Sequence, residues 1–359
     1  MNVCGLFERT FGFAAEAGGR ASGRVNMLGE HTDYNDGLVL PTVIPLYTEV
    51  AAGRSRDDAF HFISGDLEGR AARNDYYPGE EPGAGFGRYV HGCIEVLRER
   101  GEDIEPCSIA IDSSVPIGAG LSSSAALEIA VLRALRELFD LGLDDVSIAR
   151  LGQRAEVEFA GVRCGILDQM AISVGQPGQL LFLDTRTLES RLVPIPSAAE
   201  IAIFDSGVPR TLAGSGYNER RRECEEAARA LGLASLRDAS DLKRVEALPD
   251  PLRRRARHVL TENRRVLAAI AGVDGEHFGR LMLESHRSLR DDYEVSVPAL
   301  DVLVETLMEH AGVLGCKLTG AGFGGACVAL LERGAGSGDL KQRVLASFAA
   351  KGFHGRLLL

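Results

Sequence analysis

At 359 residues the chain exceeds what one hydrophobic core usually supports, so two domains are expected. Apolar residues at 45% and charged residues at 25% describe an ordinary globular protein and exclude a disordered one. The net charge of −11 argues against nucleic acid or an anionic membrane as the main partner, since either wants a basic face.

In chain order, the N-terminus Met1-Asn2-Val3-Cys4-Gly5-Leu6-Phe7-Glu8-Arg9 shows no basic stretch ahead of an apolar run, so no secretory signal is expected. No run approaches the ~18 apolar residues of a spanning helix. The run Gly23 to Pro41 packs Glu30, His31 and Asp33 into four residues, which suits hydrogen bonds to adjacent hydroxyls of one sugar. A zinc site would want helical ligand spacing and further histidines nearby, which the run lacks. A polar turn without function is the alternative.

Tyr77 to Gly87 is the clearest loop, its glycines and prolines breaking both periodicities. Ser108 to Asp112 alternates as a short strand would, and the glycine-rich loop Pro116-Ile117-Gly118-Ala119-Gly120-Leu121-Ser122-Ser123-Ser124 follows directly. Beyond it Leu127, Val131, Ala134 and Leu138 recur at helical spacing, with Gly142 as a plausible end. A second helix is expected over Ser147–Glu158, where Ile148, Leu151 and Ala155 share a face. Leu180–Leu183 and Glu200–Phe204 read as strands, with turn chemistry at Gly175–Gly178. Asn218–Leu231, Leu252–Ala271 and Pro298–Gly312 carry the length and charge pattern of amphipathic helices. A boundary near 175–190 divides the chain into domains 1–180 and 181–359. The seven cysteines are scattered and never form a Cys-x-x-Cys pair, so buried free thiols in a reducing, cytoplasmic compartment are expected.

The loop at 116–124 has the parts of an anion cradle. Helix-start amides are unpaired and lie at the positive end of the dipole. Gly118 and Gly120 let the backbone come close, and three serine hydroxyls can donate to phosphate oxygens or ligate Mg²⁺. A P-loop would need Gly-Lys-Ser/Thr, and this loop has no lysine. A dinucleotide fold would want glycine where Ser123 stands.

Pro-x-Gly-x-Gly-Leu-Ser-Ser-Ser-Ala resembles the second motif of the GHMP kinases, and Gly23 to Pro41 resembles the signature of the galactokinase branch of that family. The resemblance implies an α+β, two-domain fold, with an N-terminal domain like the second domain of ribosomal protein S5 and a C-terminal ferredoxin-like domain. It implies a sugar 1-kinase using ATP and Mg²⁺, with galactose as the leading sugar. Gly118, Ala119, Gly120, Leu121, Ser122, Ser123 and Ser124 would hold the ATP phosphates. Ser124 and Glu156 would ligate Mg²⁺, which prefers such oxygen ligands.

Cys164-Gly165-Ile166-Leu167-Asp168-Gln169 is similar to the stretch with the branch's catalytic aspartate, which makes Asp168 the proton acceptor with Arg24 beside it. A carboxylate is a weak base, so geometry must matter more than basicity. Arg24 is expected to offset charge on the transferring phosphoryl group. Glu30, His31, Asp33, Gly165, Asp168 and Tyr217 would meet the sugar. The run Lys317 to Cys327 resembles the third family motif, whose glycines would let the C-terminal domain close against the ATP loop; alone it reads as a tight turn between strands.

Three departures stand near these residues: Ser22 for proline, Leu167 for methionine and Gly216 for glutamate. They keep a second expectation alive, a 1-kinase for another sugar or cyclitol such as arabinose, an N-acetylhexosamine, a uronic acid, mannose or a natural-product precursor. A non-catalytic sugar and ATP sensor is the third, and the intact Ser122-Ser123-Ser124 run argues against it. A small-molecule partner and a monomer are expected.

Overall fold

The computed structural model describes residues 2–65, 72–80, 85–210, 213–337 and 339–359, and the side chains of all of these except 213–215 and 337. The expected loop 77–87 lies partly outside the described residues, at 81–84. The strands run β1 Ala17–Asn26, β2 Leu38–Val39, β3 Pro41–Arg54, β4 Phe60–Ser64, β5 Ala72–Tyr76, β6 Cys107–Ser113, β7 Gln179–Asp184, β8 Ser190–Pro194, β9 Ala199–Asp205, β10 Val313–Leu318, β11 Ala326–Glu332 and β12 Arg356–Leu357. The helices are α1 Val3–Phe11, α2 Phe86–Glu99, α3 Ser123–Leu138, α4 Asp145–Glu158, α5 Leu167–Val174, α6 Ala213–Leu231, α7 Leu242–Glu246, α8 Leu252–Ile270, α9 Gly275–Asp291, α10 Pro298–Met308 and α11 Leu340–Ala350.

The chain forms two compact units. The first comprises Met1–Arg24, Val43–Pro116 and Ser122–Gly175; the second comprises Val25–Thr42, Ile117–Leu121 and Gln176–Leu359. In the first, the sheet order is β1-β3-β6-β4-β5, with β4 and β6 parallel and β3 and β6 antiparallel. Strand β6 is buried on both faces, with Ala110 packed among Val3, Phe7, Ala51 and Ile63. Helices α2, α3, α4 and α5 pack on one another.

In the second unit β10-β11-β9-β12 is antiparallel, and β2-β7-β8 forms a small separate sheet. Its core gathers Phe204, Leu236, Val259, Leu289, Tyr293, Leu300, Leu318 and Phe348 from strands and helices alike. Mixed helix and sheet in two units is the α+β class expected.

Two helix ends fall short of the sequence reading. Helix α3 stops at Leu138 because Asp140 turns left-handed at φ 52°, well before Gly142. Helix α10 stops at Met308, and Gly312 at φ 88° ends the turn into β10.

Candidate active site

In the first unit α3 is entered through Ser122, whose backbone is left-handed at φ 60°. A serine held there is strained by roughly 1–2 kcal/mol, a cost that persists where the surroundings need the geometry. The need is visible: Ser122 donates a short hydrogen bond to the Asp168 carboxylate. Asp168 lies in the first turn of α5, where a negative group suits the helix dipole. Arg24, at 5% exposure near the end of β1, grips that carboxylate with a fork, Nε to Oδ1 at 2.7 Å and Nη2 to Oδ2 at 2.7 Å. Gly165 is buried in the stretch just ahead of α5.

Ser124, in the first turn of α3, donates to Glu156 Oε1 at 2.8 Å. Glu156 faces it from α4 and is buried at 7% exposure. Its other oxygen accepts from Gln169 Nε2 at 2.6 Å and from the Cys164 thiol at 3.6 Å. Burial, then the negative charge of Asp168, pushes the Glu156 carboxyl above its usual range. A hydroxyl and a carboxylate that converge this closely form a hard oxygen pair of the kind Mg²⁺ takes. Gln169 also donates to the buried Glu128 at 3.0 Å, so one amide holds two carboxylates.

In the second unit Glu30 is buried at 3% exposure and its carboxylate is already well used. Oε1 accepts from Lys317 Nζ at 3.0 Å and from the Gly320 amide at 2.8 Å, and Oε2 accepts from Asn26 Nδ2 at 3.1 Å. Lys317 is fully buried and donates also to the Asn26 carbonyl at 3.2 Å. His31, left-handed at φ 60°, lies with its ring centroid 5.6 Å from that of Tyr217 and 4.8 Å from that of Tyr293, tilted by 40° to each. Asp33 opens a single 3₁₀ turn and is half-buried.

Residues 117–121 lie in this unit. Gly120 at φ 82° and Gly320 at φ 80° meet backbone to backbone: a Cβ on the first would sit 3.0 Å from the Thr319 carbonyl, and one on the second 2.9 Å from that of Gly120. The run after Lys317 is thus the turn joining antiparallel β10 and β11. Gly216 has its own reason, since a Cβ there would stand 2.6 Å from the Phe323 ring.

Each predicted residue therefore has a place. Arg24, Asp168 and Ser122 converge, Ser124 meets Glu156, and Tyr217 meets His31. Sequence reasoning passed over Lys317, Gln169 and Tyr34, although all three stand inside stretches it singled out, and Tyr293, which stands outside them. Lys317 carried a signal, being one of only four lysines in a chain whose positive charge is otherwise arginine.

The chain matches three family models: GHMP kinases N terminal domain over 88–176, Galactokinase galactose-binding signature over 5–54, and GHMP kinases C terminal over 266–350. It is 44% identical over 339 residues to the galactokinase of Roseiflexus sp. (strain RS-1), covering 91% of this chain and 86% of that one. It is 42% identical over 326 residues to the galactokinase of Thermotoga neapolitana, covering 88% and 89%. Among solved structures it resembles Lactococcus lactis galactokinase complexed with galactose, with a TM-score of 0.90 and 33% identity over 99% of this chain and 95% of that one. With the GHMP models matched at both ends and two galactokinases above 40% identity along most of its length, the chain belongs to the galactokinase family of GHMP kinases.

Proposed function

We propose that this chain transfers the γ-phosphoryl group of ATP to the anomeric hydroxyl of D-galactose, yielding galactose 1-phosphate and ADP. The observation that carries the reading is the Asp168 carboxylate, held by the Arg24 fork and the Ser122 hydroxyl, with the Ser124–Glu156 oxygen pair in the same unit. Galactose as the sugar is supported by the signature match at 5–54 and by the galactose held in the Lactococcus lactis relative.

A carboxylate offers about four acceptor positions. Three donors meet Asp168, which leaves room for one sugar hydroxyl. Asp168 would take the proton of the 1-hydroxyl as O1 bonds to phosphorus and the bond from phosphorus to the ADP oxygen breaks. Arg24 orients that carboxylate and offsets charge on the phosphoryl group. Glu30, His31, Asp33, Gly165 and Tyr217 would hold the sugar, and residues 118–124 the phosphates through backbone amides and serine hydroxyls. Mg²⁺ on Ser124 and Glu156 would neutralise phosphate charge, and the transition state of such transfers is loose enough for positioning and charge to supply most of the rate. The free cysteines, five of the seven buried, suit a reducing cytoplasm.

The test is ADP release from ATP and Mg²⁺ with a panel of free sugars, followed by NMR location of the phosphate. Galactose-dependent ADP with phosphate on C1 is expected. No sugar-dependent ADP would sink the kinase reading, and a strong preference for another sugar would replace galactose.

A further inference from the structure

Helix α8 turns three buried polar side chains onto the segment that carries Glu30, His31 and Asp33, and each bonds to its backbone. His258 Nε2 lies 3.0 Å from the Glu30 carbonyl, Glu262 Oε1 accepts the Gly29 amide at 2.9 Å, and Asn263 Oδ1 accepts the Leu38 amide at 2.8 Å. His258 and Glu262 stand four apart on one face of the helix, and Asn263 is the next residue.

The direction of each bond is fixed by the backbone partner. A carbonyl only accepts, so His258 donates; an amide N–H only donates, so Glu262 and Asn263 accept. The bonds fall at the two ends of a loop that the chain closes on itself. The Leu40 amide donates to the Leu28 carbonyl at 2.9 Å, and the Thr32 hydroxyl lies 2.8 Å from the carbonyls of both Gly29 and Leu38. The loop lies on α8 without a gap: a Cβ on Gly37 would stand 2.6 Å from Thr32 Cβ and 2.8 Å from Asn263 Oδ1. If the loop lifted, it would leave buried donors and acceptors unpaired on both sides.

We infer that His258, Glu262 and Asn263 are positioning residues that fix the backbone of the segment 29–38 from α8, so that Glu30 and Asp33 are held in place for a sugar without touching it themselves. The inference rests on the sugar-kinase reading for its substrate, while the clamp stands on the three bonds. A segment already ordered by the protein takes no binding energy from the ligand to order it.

The experiment pairs hydrogen exchange with kinetics on the full chain. Glu262 also pairs with Arg265, so the tests fall on its two neighbours. Asn263→Leu removes the acceptor at similar volume and Asn263→Asp keeps one; His258→Leu removes the donor and His258→Gln keeps one. The Leu38 amide, read by NMR, should exchange slowly in the wild type and about tenfold faster or more in Asn263→Leu, with amides of β9 unchanged. KM for D-galactose should rise about tenfold in Asn263→Leu and in His258→Leu, with kcat and KM for ATP within about twofold. Asn263→Asp and His258→Gln should recover most of that loss. Asn263→Ala gives the same readings should a leucine variant not fold. Unchanged Leu38 exchange in the variant overturns the clamp. A lowered urea midpoint with KM for galactose unmoved shows a role in stability alone and overturns the tie to the sugar. Faster exchange in the variant, with no galactose-dependent ADP from the wild type, overturns the kinase reading and leaves the clamp standing.

Discussion

Asp168 sits among three donors, so replacing it with its amide tests the difference between shape and charge. Asp168→Asn keeps the volume, yet its NH₂ would face the Arg24 fork donor to donor. Turnover should fall at least ~10³-fold, the scale on which a positioned proton acceptor works. Galactose binding, measured by calorimetry, should weaken far less. Near-normal turnover removes Asp168 from its role.

Lys317 poses the opposite case, a charge whose loss leaves another stranded. Glu30 and Lys317 are both nearly inaccessible to water, so each desolvated charge depends on the other. Lys317→Met should destabilise by about 3–5 kcal/mol, because it leaves a buried carboxylate with no cation. Adding Glu30→Gln should recover much of that loss in urea melts. Additive losses would show that the two charges act separately.

At the scale of elements, glycine sets how closely helix and sheet approach. In the second unit α9 lies on β10 so tightly that a Cβ on Gly279 would stand 2.0 Å from the Leu314 carbonyl. In the first unit a Cβ on Gly19 of β1 would meet the Ala130 carbonyl of α3 at 1.9 Å. Backbone cannot swing aside as a side chain can. Gly279→Ala should therefore cost about 2–3 kcal/mol or more, read as a lowered urea midpoint. A variant within ~0.5 kcal/mol of wild type would mean the helix shifts freely. Helix α9 was passed over although Phe278, Leu281, Met282 and Leu289 recur at helical spacing; what leaves no local trace is its close approach to β10.

On the scale of the whole molecule, acid sensitivity follows from two buried groups of the second unit. His258 meets Ser288 Oγ at 2.9 Å and the Glu30 carbonyl at 3.0 Å, and burial lowers its pKa from 6.5 to about 4. Burial alone would raise Glu262, but Arg265, His258 and Lys317 outweigh it and bring it from 4.5 to about 2. Between pH 6.5 and 4 the unfolded chain binds a proton on His258 that the native protein refuses, so stability falls as pH falls. Between 4.5 and 2 Glu262 extends the loss in the same direction. The His258 part is on the order of 3 kcal/mol at about 1.4 kcal/mol per pH unit. Urea midpoints should be flat above pH 6.5 as far as these groups go and should drop toward pH 4. His258→Gln should flatten the upper limb alone; an unchanged slope would exclude His258 as its source.

Contiguous signals were legible in the amino-acid sequence by itself. The lysine-free anion loop, the polar cluster at 30–33, the strand of alternating residues before the loop and the apolar stripe after it all come from neighbours a few residues apart. The resemblance of the loop, of Gly23 to Pro41 and of Cys164 to Gln169 to family motifs then implied the α+β class, the family, and Ser124, Glu156 and Asp168 as candidates. Tertiary structure alone decided which groups meet. Arg24 reaches Asp168 across 144 positions and Lys317 reaches Glu30 across 287. It also decided that Glu30 is largely consumed within the protein, and that His258, Glu262 and Asn263 bond to the backbone of the segment that carries it. The reason is physical: backbone propensity and hydrophobic period act over a turn or a strand and leave a local pattern. A buried hydrogen bond between distant residues exists only where packing brings two desolvated groups together, and no stretch of sequence holds both.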